Sequence, residues 1–342
     1  MSAPNTASGL DVAAAPAGAS ARSTIWTSLR RDPWAFAGMV IVAVFVLAAV
    51  FAPLITAING QNPYDYHLHT LDDTGSPKGW GGGVSLQHWF GVEPLTGRDL
   101  FSIVVYGGRI SITVGVLATL VAVTIGVLIG LTSGYFGGWY DRVMSRFMDV
   151  MLGFPSLIFT IALTAVVAAT FPRPVLIVLV MGFFSWPSVA RVVRGQVLTL
   201  RQRTFVVASE AMGAGDGHVL WRQLLPNVGA TIIVYATILV PAMIGFEAAL
   251  SFLGVGVPPP TPSWGRTIGS SVAWFSTDPA YLAFPGGALF LITLGLNAFG
   301  DGLRDALDPR VSRRRGLRTA ARSLAARGPR GPRVDRKKKV TA

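Results

Sequence analysis

His67-x-His69, with Asp65, Asp72 and Asp73 close by and His88 further along, is the stretch whose residue types come nearest to a metal site. It sits in a Gly/Pro-rich run with no third ligand at fixed spacing, so no metal ligand is assigned. Cysteine is absent, which removes disulfides, thiolate metal sites and cysteine nucleophiles together. Gly213, Gly215 and Gly217 form a G-x-G-x-G run, yet no strand precedes it and a dinucleotide fold has no room there. Lysine is missing between Lys78 and Lys337, so the body of the chain holds no G-x-x-x-x-G-K-[ST] phosphate loop. H-E-x-x-H and G-x-S-x-G do not occur either. No catalytic residue and no cofactor is expected. Two acids remain of interest. Glu247 is the one acid well inside an apolar run, read as a structural hydrogen-bonding group or as a substrate or proton site. Asp149, beside Arg146, reads as half of a boundary ion pair.

The elements that must position these residues are set by composition. With 51% hydrophobic and 13% charged residues over 342 positions, and a mean hydropathy of +0.52, the chain is too apolar for a soluble two-domain protein. The expected class is an all-α polytopic membrane protein. Crossing about 30 Å of hydrocarbon takes about 20 helical residues. Six charge-poor windows qualify: 34–58, 110–133, 150–171, 175–190, 228–257 and 281–301. The fourth is short and carries Pro187; the fifth carries Pro241 and Glu247. Ser111, Gly115 and Thr119, then Gly126, Gly130 and Gly134, recur every four positions on the second window and predict close helix packing there.

Six crossings put both ends of the chain on one side. Of the 29 Lys and Arg, an N-inside arrangement leaves only Lys78, Arg98, Arg109, Arg173 and Arg266 outside. The expectation is therefore N-in and C-in. Residues 1–33 form a cytoplasmic, largely disordered N-terminus, and the first window is an uncleaved anchor, its apolar core being about twice a signal-peptide h-region. Segments 59–109 and 258–280 face outside. The basic tail 302–342 lies against anionic headgroups rather than nucleic acid, because no aromatic residues interleave with its charges.

Segment 191–227 is too polar to be embedded and too regular to be a plain connector. Phe205, Val206, Ala208, Ser209 and Met212 give one short helix a small apolar face, ending at Gly213. A second short helix is expected from an N-cap at Asp216 to a stop at Pro226. A small-faced surface helix at the inner side suits docking into a partner's groove.

This segment resembles the integral permease subunits of ATP-binding-cassette importers, in particular the C-type permeases of dipeptide and oligopeptide uptake. The family signature reads approximately E-A-A-x-x-x-G-A-x-D, then L-P-N. Gly213, Ala214 and Asp216 with Leu225, Pro226 and Asn227 match it, placing Ala208 and Ser209 at the alanines and Val207 at the glutamate. The signature acid is thus missing, and Glu210 is three residues out of register. Gly97-Arg98-Asp99-Leu100-Phe101-Ser102 with Tyr106-Gly107 and Arg109 is similar to the family's block before the second crossing, where Val92-Glu93 replaces the usual Thr-Asp. Gly134 to Gly138 with Asp141, Arg142, Asp149 and Phe154-Pro155, then Leu250 to Gly254 with Pro262 to Gly265, continue the likeness. So do Gly300 to Asp305 and Asp308-Pro309-Arg310; the whole covers about residues 85–310.

The resemblance implies a type I ABC importer permease fold in a bacterial plasma (inner) membrane. It implies a homologous second permease subunit, two cytoplasmic ATP-binding subunits and an extracytoplasmic substrate-binding protein. Val207, Ala208, Ser209, Gly213, Ala214, Asp216, Leu225, Pro226 and Asn227 would form the ATPase-coupling loop. The cargo it implies is di- or oligopeptide, with nickel or another small solute as the alternative. Readings of another class, a secondary transporter or channel and a non-transporting membrane scaffold, rest on Glu247 and on the basic tail respectively.

Overall fold

A computed structural model describes residues 26–307 except 28, 168 and 169. Of the segment 1–33 expected to be largely disordered, residues 1–25 lie outside the described residues, while residues 29–31 are helical; of the basic tail 302–342, residues 302–307 continue the last helix, and the rest, with the Asp308-Pro309-Arg310 motif, lies outside the described residues. Among the described residues the secondary structure is helical, with two isolated β-bridges, Leu71 to Pro77 and Val92 to Asp99. Ten helices carry the argument: α1 (Pro33–Val50), α2 (Ala52–Asn59), α3 (Leu100–Phe136), α4 (Gly138–Leu152), α5 (Ser156–Val166), α6 (Arg173–Leu200), α7 (Thr204–Ala211), α8 (Asp216–Phe252), α9 (Trp264–Ser271) and α10 (Ala280–Leu307). Five of them, α1, α3, α6, α8 and α10, are long and apolar enough to cross a membrane, and the pair α4 and α5 makes a sixth if counted as one span.

Local chemistry sets several of these boundaries. Asp32 caps α1, its Oδ1 accepting from the Trp34 and Ala35 N–H groups at 3.0 and 3.4 Å, with Pro33 at the first helical position. Asp99 caps α3 in the same way, accepting from the Ser102 N–H at 2.8 Å. At the other end of α3, Gly137 and Gly138 take φ of +67° and +60°, the left-handed region that a side chain resists, and the chain folds back into α4 over two residues.

Three expectations change in the structure. The window 150–171 is not one straight helix: Val150 lies near the end of α4, and the chain bends by 79° through Gly153-Phe154-Pro155 before α5. Pro155 lacks an N–H and its ring drives Phe154 out of the helical region, so the ladder cannot continue. The window 175–190 is the middle of the longer helix α6, which keeps Arg191 and Arg194 inside it because each pairs with an aspartate of α4. Segment 191–227 holds the two helices expected, but its first ten residues belong to α6 and its second helix continues into the long α8, leaving 201–203 and 212–215 as connections.

Packing follows the small residues. A Cβ on Gly126 would meet Val189 Cβ at 2.6 Å, on Gly130 the Ala190 carbonyl at 2.6 Å, and on Gly134 Val197 Cβ at 2.8 Å, so α3 and α6 lie backbone against backbone. The upper part of the stripe turns to α8, where a Cβ on Gly115 would meet Ile244 Cγ1 at 2.4 Å. Gly38 does the same for α1 against Gly295 of α10, at 2.7 Å. Lipid gives helices no hydrophobic reason to associate, so this dispersion contact at closest approach is what holds them. Helix α6 is the most enclosed span, with 56% of its most apolar window buried against 17–33% for the others.

Candidate functional site

Helix α7 is an exposed platform with a fixed end. Val206 and Ser209 point inward at 0 and 7% exposure, while Phe205, Val207, Ala208 and Met212 face out. Gly213, at φ +86°, donates its N–H to the Glu210 carbonyl at 2.9 Å, and Ala214 donates to the Ser209 carbonyl at 3.0 Å. That is the paired closure of a Schellman cap, which satisfies the last carbonyls and stops the helix where the glycine stands. The Ser209 hydroxyl accepts from the Gln223 side-chain amide, tying α7 to α8. The Tyr135 hydroxyl at the end of α3 faces two carboxylates, Asp216 at 2.9 Å and Glu210 at 3.1 Å.

Two expectations about this segment are corrected. Asp216 does not cap α8; Gly215 holds the cap position and the Asp216 carboxylate is turned to Tyr135. Pro226 does not end a helix, because residues Val219–Leu224 form a π-helical turn in which the Leu225 N–H reaches back to the Leu220 carbonyl. The wider turn lets the proline ring pass its preceding carbonyls, and α8 runs on through it. Asn227 donates its side-chain amide to the Gln223 carbonyl at 2.6 Å, one turn back. Leu225 is half-buried, while Trp221 and Pro226 are exposed beside α7.

Behind the platform, charge locks α3, α4 and α6 together. Arg194 holds Asp141 with two guanidinium nitrogens, Nη2 at 2.7 Å from Oδ2, and the Ser133 hydroxyl adds a bond to Asp141 at 2.6 Å. Asp149 pairs with Arg191 at 2.5 Å rather than with the neighbouring Arg146. Arg201 donates to the Gly134 and Tyr135 carbonyls at 3.3 and 3.2 Å, covering the end of α3. A cleft of about 420 Å³ opens between Tyr135, Arg201, Gln202, Val207 and Glu210. Val207 and Glu210 are one turn apart and line the same cleft, so the acid that is out of register in sequence shares a face with Val207 in space.

At the opposite end of α8, Glu247 is fully buried. Its Oε1 accepts from the Ser251 and Ser263 hydroxyls at 2.7 and 2.9 Å, and its Oε2 has no donor. Nearby, Trp264 lies flat against Gly107 and Gly108 of α3 and donates its indole N–H to the Val104 carbonyl at 2.8 Å. Glu93 joins Arg98 at 2.6 Å and Tyr281 at 2.7 Å, in a buried network that Arg98 extends to the Pro260 carbonyl at 3.0 Å. His88 meets Asp99 at 2.9 Å, and His67 packs on the His88 ring. No group of three or more His, Cys, Asp or Glu among the described residues is arranged to hold a metal ion.

Residues 126–313 match the family described as the inner membrane component of binding-protein-dependent transport systems, and residues 20–75 match the N-terminal TM domain of oligopeptide transport permease C. The chain is 38% identical over 286 residues to the glutathione transport system permease protein GsiD of Escherichia coli O157:H7 and of Shigella sonnei, spanning 84% of this chain and 89% of theirs. The GsiD of Shigella dysenteriae serotype 1 is 39% identical over the same shares. The chain belongs to the binding-protein-dependent permease family. It is an ABC-importer permease subunit, a multi-pass inner-membrane protein and a non-catalytic component of its transporter.

Some of the permease's inner contacts carry no sequence signal. Tyr135 lies 81 residues from Asp216 and Gln223 lies 14 from Ser209, and neither pairing follows from any local spacing. Met212, which belongs to the apolar helix face read from the sequence, is 81% exposed, and Trp221 of the following helix is 54% exposed.

Proposed function

We propose that this permease forms half of the translocation pathway for di- or oligopeptides. In this reading it pairs with a homologous permease, receives cargo from an extracytoplasmic binding protein, and is driven by two cytoplasmic ATP-binding subunits. Residues 191–227 lie inside, the chain is N-in and C-in, and the ATPase grips α7 and the turn leading into α8. The observation that carries the reading is the exposed apolar face of α7, from Phe205 to Met212, on a helix whose inner face is fully buried and whose end is capped. A docking helix transmits a push only if it moves with the body behind it, and Tyr135, Gln223 and Arg201 supply that attachment. Glu210 serves as the acid of the docking cleft in place of the Val207 position. The peptide-like cargo is supported by the resemblance to glutathione and oligopeptide permeases.

Ala208→Trp tests it. The residue is exposed, so the fold is unaffected to within about 0.5 kcal/mol. The expected result is normal membrane insertion with ATP-driven tripeptide uptake abolished in proteoliposomes of the full transporter. Wild-type uptake by this variant would refute the docking assignment.

A further inference from the structure

A cavity of about 590 Å³ lies at the end remote from α7, between the end of α5, the start of α6 and the α8 to α9 connection. Two guanidinium groups line it, Arg173 and Arg266. Each has a carbonyl to donate to, Thr164 for Arg173 and Thr261, at 3.1 Å, for Arg266. Among the described residues neither has a carboxylate within salt-bridge distance, unlike Arg98, Arg191 and Arg194. Arg266 is half-buried, and its guanidinium is held below its ordinary pKa by burial first and by the neighbouring Arg98 second. Glu93 opposes that shift without forming an ion pair with Arg266, and an incoming anion would offset the cost of burying the guanidinium. The rest of the lining is mixed, with Ser251 and Ser270 beside Ile161 and Val257, and fits the body of a small amphipathic solute. Ser251 also donates to Glu247, so the cavity wall is braced by that buried acid. The volume falls in the range of small-molecule sites, about 300–1,000 Å³.

We infer that this cavity is an oxyanion site in which Arg173 and Arg266 together bind a carboxylate of a peptide-like solute. The inference rests on the peptide reading given above and adds to it where on the chain such a solute is recognised. Planar guanidinium groups meet carboxylates at two points, which selects a free C-terminal carboxylate over its neutral amide. A phospholipid phosphate offers the same chemistry from the membrane side.

The test uses the full chain assembled with its partner permease in phosphatidylcholine nanodiscs, without the binding protein. Saturation-transfer NMR measures the affinity for trialanine and for trialanine amide. Wild type should prefer the carboxylate by about tenfold, the scale of one charge-assisted contact. R173Q and R266Q should each bring the preference close to one, R173K and R266K should keep part of it, and R142Q, at the α3 to α4 turn remote from the cavity, should leave it intact. Tm and gel-filtration profile show that each variant is folded. An unchanged preference in both Gln variants overturns the site while leaving peptide binding standing. Absence of trialanine binding to wild type overturns the peptide reading and the site with it. Adding phosphatidylglycerol separates the two sources: if it is retained by wild type, lost in the Gln variants and not displaced by trialanine, the oxyanion is a lipid phosphate and the solute assignment is wrong.

Discussion

Placing one methyl group on Gly130 and another on Gly195 should have opposite effects, and the comparison measures how α3 and α6 are held together. Both glycines lie inside helices, so each gains the same helix preference of about 1 kcal/mol on becoming alanine. Around Gly195 nothing lies within 4 Å of the new Cβ. On Gly130 the Cβ would stand 2.6 Å from the Ala190 carbonyl oxygen and 2.9 Å from Val193 Cβ. The oxygen belongs to the backbone of a buried helix and cannot rotate away, so the helices must separate by several tenths of an ångström along this seam. Overpacking of that kind costs about 1–3 kcal/mol. Because the preference for alanine cancels between the two variants, their difference is the packing cost alone. At about 2 °C per kcal/mol for a chain of this size, G130A should melt about 2–6 °C below G195A. Intrinsic fluorescence reports it well, since Trp186 is 1% exposed and its carbonyl lines the neighbouring Gly126. A G130A protein melting level with or above G195A would show that the two helices do not meet through their backbones.

Three further outcomes are expected. Tyr135→Phe removes the hydroxyl shared by Glu210 and Asp216, costs about 1 kcal/mol, and should speed amide hydrogen exchange in α7 while leaving α6 unchanged; equal exchange in the two proteins counts against the tether. Glu247→Ala strands the Ser251 and Ser263 hydroxyls in a buried site and should lower stability by about 2–4 kcal/mol, whereas Glu247→Gln retains an acceptor for both and should cost much less, as thermal unfolding of the two variants will tell. His67 is held below its ordinary value of 6.5, by burial first and then by His88 and His69, with Asp65 and Asp99 opposing. A base with a depressed folded pKa adds its full stability above the unfolded value and loses it as pH falls below about 6.5. Hydrogen exchange across residues 60–99 should therefore quicken between pH 7.5 and 5.5 in wild type and less so in H67Q; identical pH dependence in both removes His67 as the cause.

Much of this was legible in residue types because the physics is local. The four-residue spacing of Gly126, Gly130 and Gly134 places them on one helix face whatever that face touches, and the structure puts α6 against it. Gly213 ends α7 because a left-handed residue is needed there. Charge-poor windows, in contrast, mark where hydrocarbon is tolerated and not where helices end, so the window stops before Arg191 while α6 runs on to Leu200. The guanidinium groups of Arg191 and Arg194 stay in the helix because Asp149 and Asp141 on another helix neutralise them, a condition no single window contains. The π-helical turn before Pro226 escaped for a similar reason: proline announces a missing donor, and only the surrounding packing decides whether the backbone stops or widens. The two arginines of the large cavity are 93 positions apart in the chain and become neighbours only through the folding of α5, α6 and α9.

Helix α3 is unbroken from Leu100 to Phe136, about 55 Å at the rise of an α-helix. Its first turn grows out of the buried Arg98 and Asp99 cluster, and its last carries the tyrosine that grips the platform. A rod of that kind has no joint in which a displacement could be absorbed. Whatever free energy an event at one tip contributes to the posture of the other must be returned in equal measure when the roles are exchanged. In the proposed transporter, a solute's effect on nucleotide affinity would therefore equal the effect of nucleotide on the affinity for the solute.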